Sequence, residues 1–132
     1  MKTLKYLPVP PWDMETAALR LKLLEDDFNS LDAKRISDNF TVEAEVRFGT
    51  HFLRGRGEIR KFIAADLATR NSYKLNLDLW GALKGRMALR FELEWSDADE
   101  KPYKSYGIQV FQFDDEGSIT MNFVSFNDQE LS

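Results

Sequence analysis

Four segments between Tyr73 and Asn127 constrain this chain more than any other feature. YKLNLDLWGA, RMALRFELEW, YKSYGIQVFQF and SITMNFVSFN each alternate apolar with polar residues. A period of two is the pattern of a strand whose faces meet different surroundings. Leu83-Lys84-Gly85 suits a three-residue hairpin loop with the glycine in the left-handed position, and Asp114-Asp115-Glu116-Gly117 suits a turn ending on glycine. The four segments therefore read as antiparallel strands joined by hairpins, with a looser polar connection from Ser96 to Pro102.

Register is tested by what it sets opposite what. Pairing Ala82 with Arg86 puts Leu79 against Leu89, Leu77 against Phe91 and Leu75 against Leu93. On the other face Asp78 meets Arg90 and Lys74 meets Glu94, opposite charges across the ladder. For the last two strands, segregation of apolar from polar residues sets Ile108 and Val110 beside Phe91 and Leu89, with Phe123 and Met121 next to them. One face then carries Trp95, Tyr106, Ile108, Val110, Phe123, Ser125 and Asn127 with the leucines. The other carries Trp80, Ala88, Phe111 and Val124 among charged residues.

Upstream, Pro8, Pro10 and Pro11 make residues 1–12 an extended arm, leaving 13–132 as a single domain. Asp13 is placed to cap a helix reaching about Asn29, with Met14, Ala17, Ala18, Leu21, Leu24 and Phe28 at helical spacing. Asp32 is placed to cap a short second helix containing Ile36 and Phe40. Glu43–Phe48 reads as a strand, 49–57 as a loop, and Ile59, Phe62, Ile63 and Leu67 as one face of a third helix. A strongly apolar sheet face with three helices to cover it is an α+β arrangement.

The 132 residues suffice for one core, and 43% hydrophobic with 13% aromatic residues is a globular composition. A net charge of −4 gives a nucleic-acid partner no support. The absence of cysteine excludes disulfides, thiolate metal sites and cysteine nucleophiles. The opening MKTLKYLPVPPW is too broken by lysine and proline for a signal sequence, and no apolar run reaches membrane-spanning length. The expected compartment is the cytoplasm, with no membrane partner, no cofactor and no metal.

A resemblance rests on Leu53-Arg54-Gly55-Arg56, Glu58-Ile59, Phe62, Leu79-Trp80, Arg90-Phe91-Glu92-Leu93-Glu94-Trp95, Ser105-Tyr106-Gly107, Phe113-Asp114, Ser125 and Asn127-Asp128. With the order of elements, these residues make the chain similar to the nuclear-transport-factor-2-like (SnoaL-like) superfamily, and closer to an uncharacterised bacterial family within it. The resemblance implies a cone: a curved antiparallel sheet wrapped on three N-terminal helices, with a pocket at its open end. It also implies homodimers that meet through the outer sheet face. By the same resemblance, the base position of the ketosteroid isomerases falls on Phe48, so their mechanism does not carry over. Relatives carry Asn, Asn and Glu where this chain has Ile108, Val110 and Phe123, which makes the face expected to line the pocket more apolar.

The candidate residues follow. Tyr106, Ser125 and Asn127 are polar members of that face and read either as a structural network or as a set that orients a ligand. Ile108, Val110, Phe123 and Trp95 would form the apolar wall, and Arg47 is matched in the family. His51, the single histidine, is either a loop acid or base or an exposed loop residue. Arg54, Arg56, Arg60 and Lys61 read as a solvated basic turn, and Arg90, Glu92 and Glu94 as surface charge pairs. Trp80, Ala88, Phe111 and Val124 form the expected homodimer row. The expected function is binding of a small, apolar or weakly polar molecule in the pocket, with isomerase, hydrolase or dehydratase chemistry open. The alternative is a non-catalytic dimeric structural or interaction module whose cone is filled by its own side chains.

Overall fold

The computed structural model of the protein describes residues 8–131. Its elements run α1 (Met14–Asn29), α2 (Ala33–Ser37), β1 (Phe40–Phe48), β2 (His51–Arg54), α3 (Arg56–Ala68), β3 (Asn71–Leu83), β4 (Arg86–Ser96), β5 (Pro102–Phe113) and β6 (Ile119–Glu130). The expected helices are present and the first two have their caps, but the second stops at Ser37, and Phe40, expected on it, opens β1. Asp13 accepts from the Thr16 amide at 2.8 Å while Thr16 Oγ1 accepts from the Asp13 amide at 3.0 Å, a reciprocal box. Asp32 Oδ1 accepts from the Lys34 and Arg35 amides. The expected loop at 49–57 contains β2, which folds back on β1 through Gly49-Thr50. No helix among the described residues is long and apolar enough to cross a membrane.

The strands form one sheet in the order β2-β1-β6-β5-β4-β3, and this corrects the expected cone. The sheet is mixed, because β1 and β6 run parallel. Both strands start at the same end of the sheet, where the Ile119 amide donates to the Asn39 carbonyl at 2.7 Å. Nor does the sheet close into a strongly curled wrap. β2 and β3 lie at its two edges, and the β3 edge is occupied by α1 instead of a strand. Asn29 there bonds both the amide and the carbonyl of Leu75, at 2.8 and 2.9 Å, and Glu25 accepts from the Leu77 amide at 2.7 Å. The third helix follows the first strands, as the order of elements in the sequence has it. The architecture is an open, six-stranded α+β sheet with three helices.

The β3–β4 pairing matches the expectation from Leu75–Leu93 to Leu79–Leu89, including Asp78 opposite Arg90 and Lys74 opposite Glu94. At the hairpin end a bulge between Leu79 and Gly81 shifts the ladder, so that Ala82 pairs with Met87 and Leu83 with Arg86. Lys84, with φ 57°, takes the left-handed position expected of Gly85. Gly85 serves a different need: a Cβ there would lie 2.9 Å from the Phe113 carbonyl oxygen.

Between β4 and β5 the expected register is wrong by one residue, and between β5 and β6 by two. Phe91 lies opposite Gly107 and Arg90 opposite Ile108, while Val110 pairs with Phe123 and Ile108 with Ser125. A one-residue slip exchanges the faces. Tyr106, Ile108, Val110, Phe123, Ser125 and Asn127 therefore point away from the helices and are exposed, whereas Phe111 and Val124, expected outside, are buried in the core. The core joins them to Trp12, Ala17, Leu21 and Leu24 of the N-terminal region, Ile59 of α3, and Leu75, Leu89, Phe91 and Leu93 of the sheet.

Candidate functional site

An interior cavity of ≈ 70 Å³ lies between α3 and the inner face of the sheet. Its walls come from most elements of the fold. Phe28 of α1, Phe40, Val46 and Phe48 of β1, and Leu53 of β2 form part of it. The remainder comes from Ile59, Phe62, Ile63 and Leu67 of α3, with Leu75, Phe91, Leu93, Val124 and Phe126 from the sheet. The α3 residues at 59, 62, 63 and 67 are the stripe that helical spacing marks out. Gly55, at φ 91°, starts that helix in a conformation that side chains rarely adopt.

Polar groups line the same space: Asp66, Arg70, Tyr73, Ser105, Gln109 and Asn122. Arg70 Nε and Nη2 donate to Asp66 Oδ2 and Oδ1 at 3.1 and 3.2 Å, one helical turn apart. The guanidinium also lies over the Trp95 ring, 4.3 Å from its centroid. Trp95 in turn stacks on Tyr103 at 4.5 Å and donates from Nε1 to Ser105 Oγ at 3.0 Å, and Ser105 Oγ donates to Asp128. With only 8% of its side chain exposed, Arg70 has an Nη1 with no hydrogen-bond partner among the described residues. Burial, and then the Asp66 charge, push the Tyr73 phenol well above its ordinary range, with Arg70 opposing. Tyr73 is therefore neutral at physiological pH. Asn122 Nδ2 donates to Gln109 Oε1 at 3.1 Å and to the Val110 carbonyl at 3.3 Å.

Of the residues expected to bind ligand, Trp95 alone sits on the inner face, behind Arg70. Arg47 is exposed on the outer face, opposite Phe52 and Phe123. His51 is exposed on β2, its ring 5.2 Å from that of Phe62 in the cavity wall. Tyr106, Ile108, Val110, Phe123, Ser125 and Asn127 share the outer face with Trp80 and Ala88. Sequence reasoning missed Asp66, Arg70, Tyr73, Ser105, Gln109 and Asn122. The i,i+4 spacing of Asp66 and Arg70 was the available signal. Ser105, Gln109 and Asn122 misled because polar residues in alternating strands look like solvent-facing ones.

No curated protein matches the sequence at a significant level. Among solved structures, the chain is similar to the epoxide hydrolase/cyclase-like enzyme SalBIII of pyran ring formation in the polyether salinomycin. The identity is 19% and the TM-score 0.75, over 87% of this chain and 93% of that one. It is also similar to a Bacillus subtilis protein given the provisional name of an isomerase, at 15% identity and TM-score 0.74, over 86% and 87% of the two chains. At these identities the likeness is one of fold. The profile of a family described as a protein of unknown function, DUF1348, matches residues 10–132, so the chain belongs to that family.

Proposed function

We propose that the protein binds a small, compact and largely apolar molecule in the cavity between α3 and the sheet. The observation that carries this reading is the cavity itself. Close-packed interiors leave few voids larger than a water molecule, and ≈ 70 Å³ is several times the ~10–15 Å³ that one water needs. Its walls are mostly aliphatic and aromatic, with a few polar groups at fixed positions, the composition of ligand sites in general. The two similar structures, an epoxide hydrolase/cyclase-like enzyme and a protein provisionally named an isomerase, support a small-molecule class. Tyr73, held neutral, and the Asp66–Arg70 pair are the groups from which any reaction there would draw its protons and hydrogen bonds. Native mass spectrometry of protein purified from its own cells tests the reading, together with an NMR screen of small apolar fragments. A co-purifying mass, or fragment shifts confined to the cavity, is the expected result. Neither appearing would sink it.

The size of the void favours a second reading. It falls well short of the roughly 300–1,000 Å³ of drug-sized pockets, because Phe28, Phe48, Phe62 and Phe126 fill much of the interior. A non-catalytic module with a filled interior would give the negative outcome of the same screen.

We also propose that the outer sheet face is covered by a second copy of the chain. Phe123, Val110 and Ala88 form a cross-strand row there, flanked by Ile108 and Trp80. Beside it the charged residues pair within the sheet: Arg90 with Asp78 and Glu92, and Lys104 with Glu92.

A further inference from the structure

Arg70 carries information about the ligand that the apolar walls do not. It lies just past the C-terminal end of α3, only 8% of its side chain is exposed, and two of its nitrogens are taken by Asp66 of that helix. Trp95 covers its guanidinium at 4.3 Å. Nη1 remains, buried and with no acceptor among the described residues, on a side chain that lines the cavity. A buried donor without a partner is costly and rare in native structures. Such a donor, on a side chain already locked by a bidentate pair and a ring, is preorganised to meet an oxygen that the protein does not supply.

Resting on the proposed cavity site, we infer that Arg70 Nη1 donates a hydrogen bond to a neutral oxygen of the ligand, a ketone, aldehyde, ether or alcohol on a compact apolar ring or chain. Neutrality follows from charge counting. Asp66 already balances the guanidinium, so a bound carboxylate would leave one net negative charge against Phe28, Phe91 and the leucines. Burying an uncompensated charge in such surroundings is far more costly than burying a hydrogen-bonded neutral group. Tyr73 adds no positive charge, being a neutral phenol. The oxygen would thus be read by a charge-assisted donor inside a site of zero net charge.

The test uses three probes of similar size on the full chain: cyclopentanone, methylcyclopentane and cyclopropanecarboxylate, titrated into isotope-labelled protein by two-dimensional NMR. The expected ranking places the ketone about tenfold or more tighter than the hydrocarbon, with the carboxylate weakest. Arg70→Met should erase the preference for the ketone and leave hydrocarbon binding within a few-fold. Should that variant fail to fold, the wild-type ranking decides alone. Equal binding of ketone and hydrocarbon, or tightest binding of the carboxylate, would overturn the role of Arg70 while leaving the cavity as a binding site. Binding of none of the three would overturn both.

Discussion

At Gly107 the sheet leaves no room for a side chain. A Cβ there would lie 2.4 Å from Phe91 Cε1 and 2.4 Å from the Ser125 carbonyl oxygen, which is backbone and cannot swing aside. Gly107→Ala should therefore cost about 1–3 kcal/mol or more in urea unfolding. Gly57, in the first turn of α3, has nothing within 4 Å of such a position. Gly57→Ala should go the other way, stabilising by about 0.4–1 kcal/mol through the lost freedom of the unfolded chain. Equal effects of the two substitutions would show that the close approach at Gly107 is not real. Tyr73 makes a pH prediction. Burial raises its phenol above the usual ~10 in the folded state only. Below pH ~10 both states are protonated and the contribution is fully present. Above it the unfolded chain releases its proton first, so stability falls as pH rises towards the folded value. Tyr73→Phe should remove that fall, seen as a stability difference from wild type that changes between pH 8 and 11. A difference constant with pH would contradict it.

Among the elements, β3 shows how a sheet edge is finished. Edge strands expose unpaired backbone groups, and here α1 supplies side chains to them at Leu75 and Leu77. Asn29→Leu would leave the Leu75 amide and carbonyl without these partners. We expect a loss of about 1–3 kcal/mol, with faster hydrogen exchange at Leu75 than at its β4 partner Leu93. Unchanged exchange at Leu75 would mean that α1 does not seal this edge. Helix starts were legible in the sequence because Asp13 and Asp32 carry capping chemistry locally. The middle of the β3–β4 ladder was legible because charge pairs fix it independently of hydrophobicity. The register of β5 and β6 was not, since the only guide there was segregation, and this protein inverts it. Its inner face holds Ser105, Gly107, Gln109 and Asn122, while its outer face holds Ile108, Val110 and Phe123. The candidate site was hidden for the same reason, because the polar groups that line a cavity read as solvent-facing ones. The parallel β1–β6 pairing joins segments about 75 residues apart and leaves no local trace at all.

On the scale of the whole molecule, the sheet has two faces that both call for cover, and only one receives it from the described residues. The helices cover the inner face. On the outer face Trp80 is 70% exposed, Ile108 62%, Val110 42% and Phe123 39%, all near one cross-strand row. Scattered apolar residues need no explanation, but a contiguous set in the middle of a sheet does. Two-fold symmetry makes self-association economical, since a single patch serves as both halves of the interface. Trp80 and Ala88 keep the place that the sequence assigns them in that row. Phe111 and Val124 give theirs to Val110 and Phe123, so the surface expected to meet a partner survives with half its members exchanged. Sedimentation equilibrium should find a dimer at micromolar concentration. Val110→Lys, which places a charge at the centre of the row and touches nothing in the core, should give a monomer with unchanged circular dichroism and at most about 0.5 kcal/mol change in intrinsic stability. A wild-type monomer would remove the second copy from that face, and a Val110→Lys dimer would move the interface elsewhere.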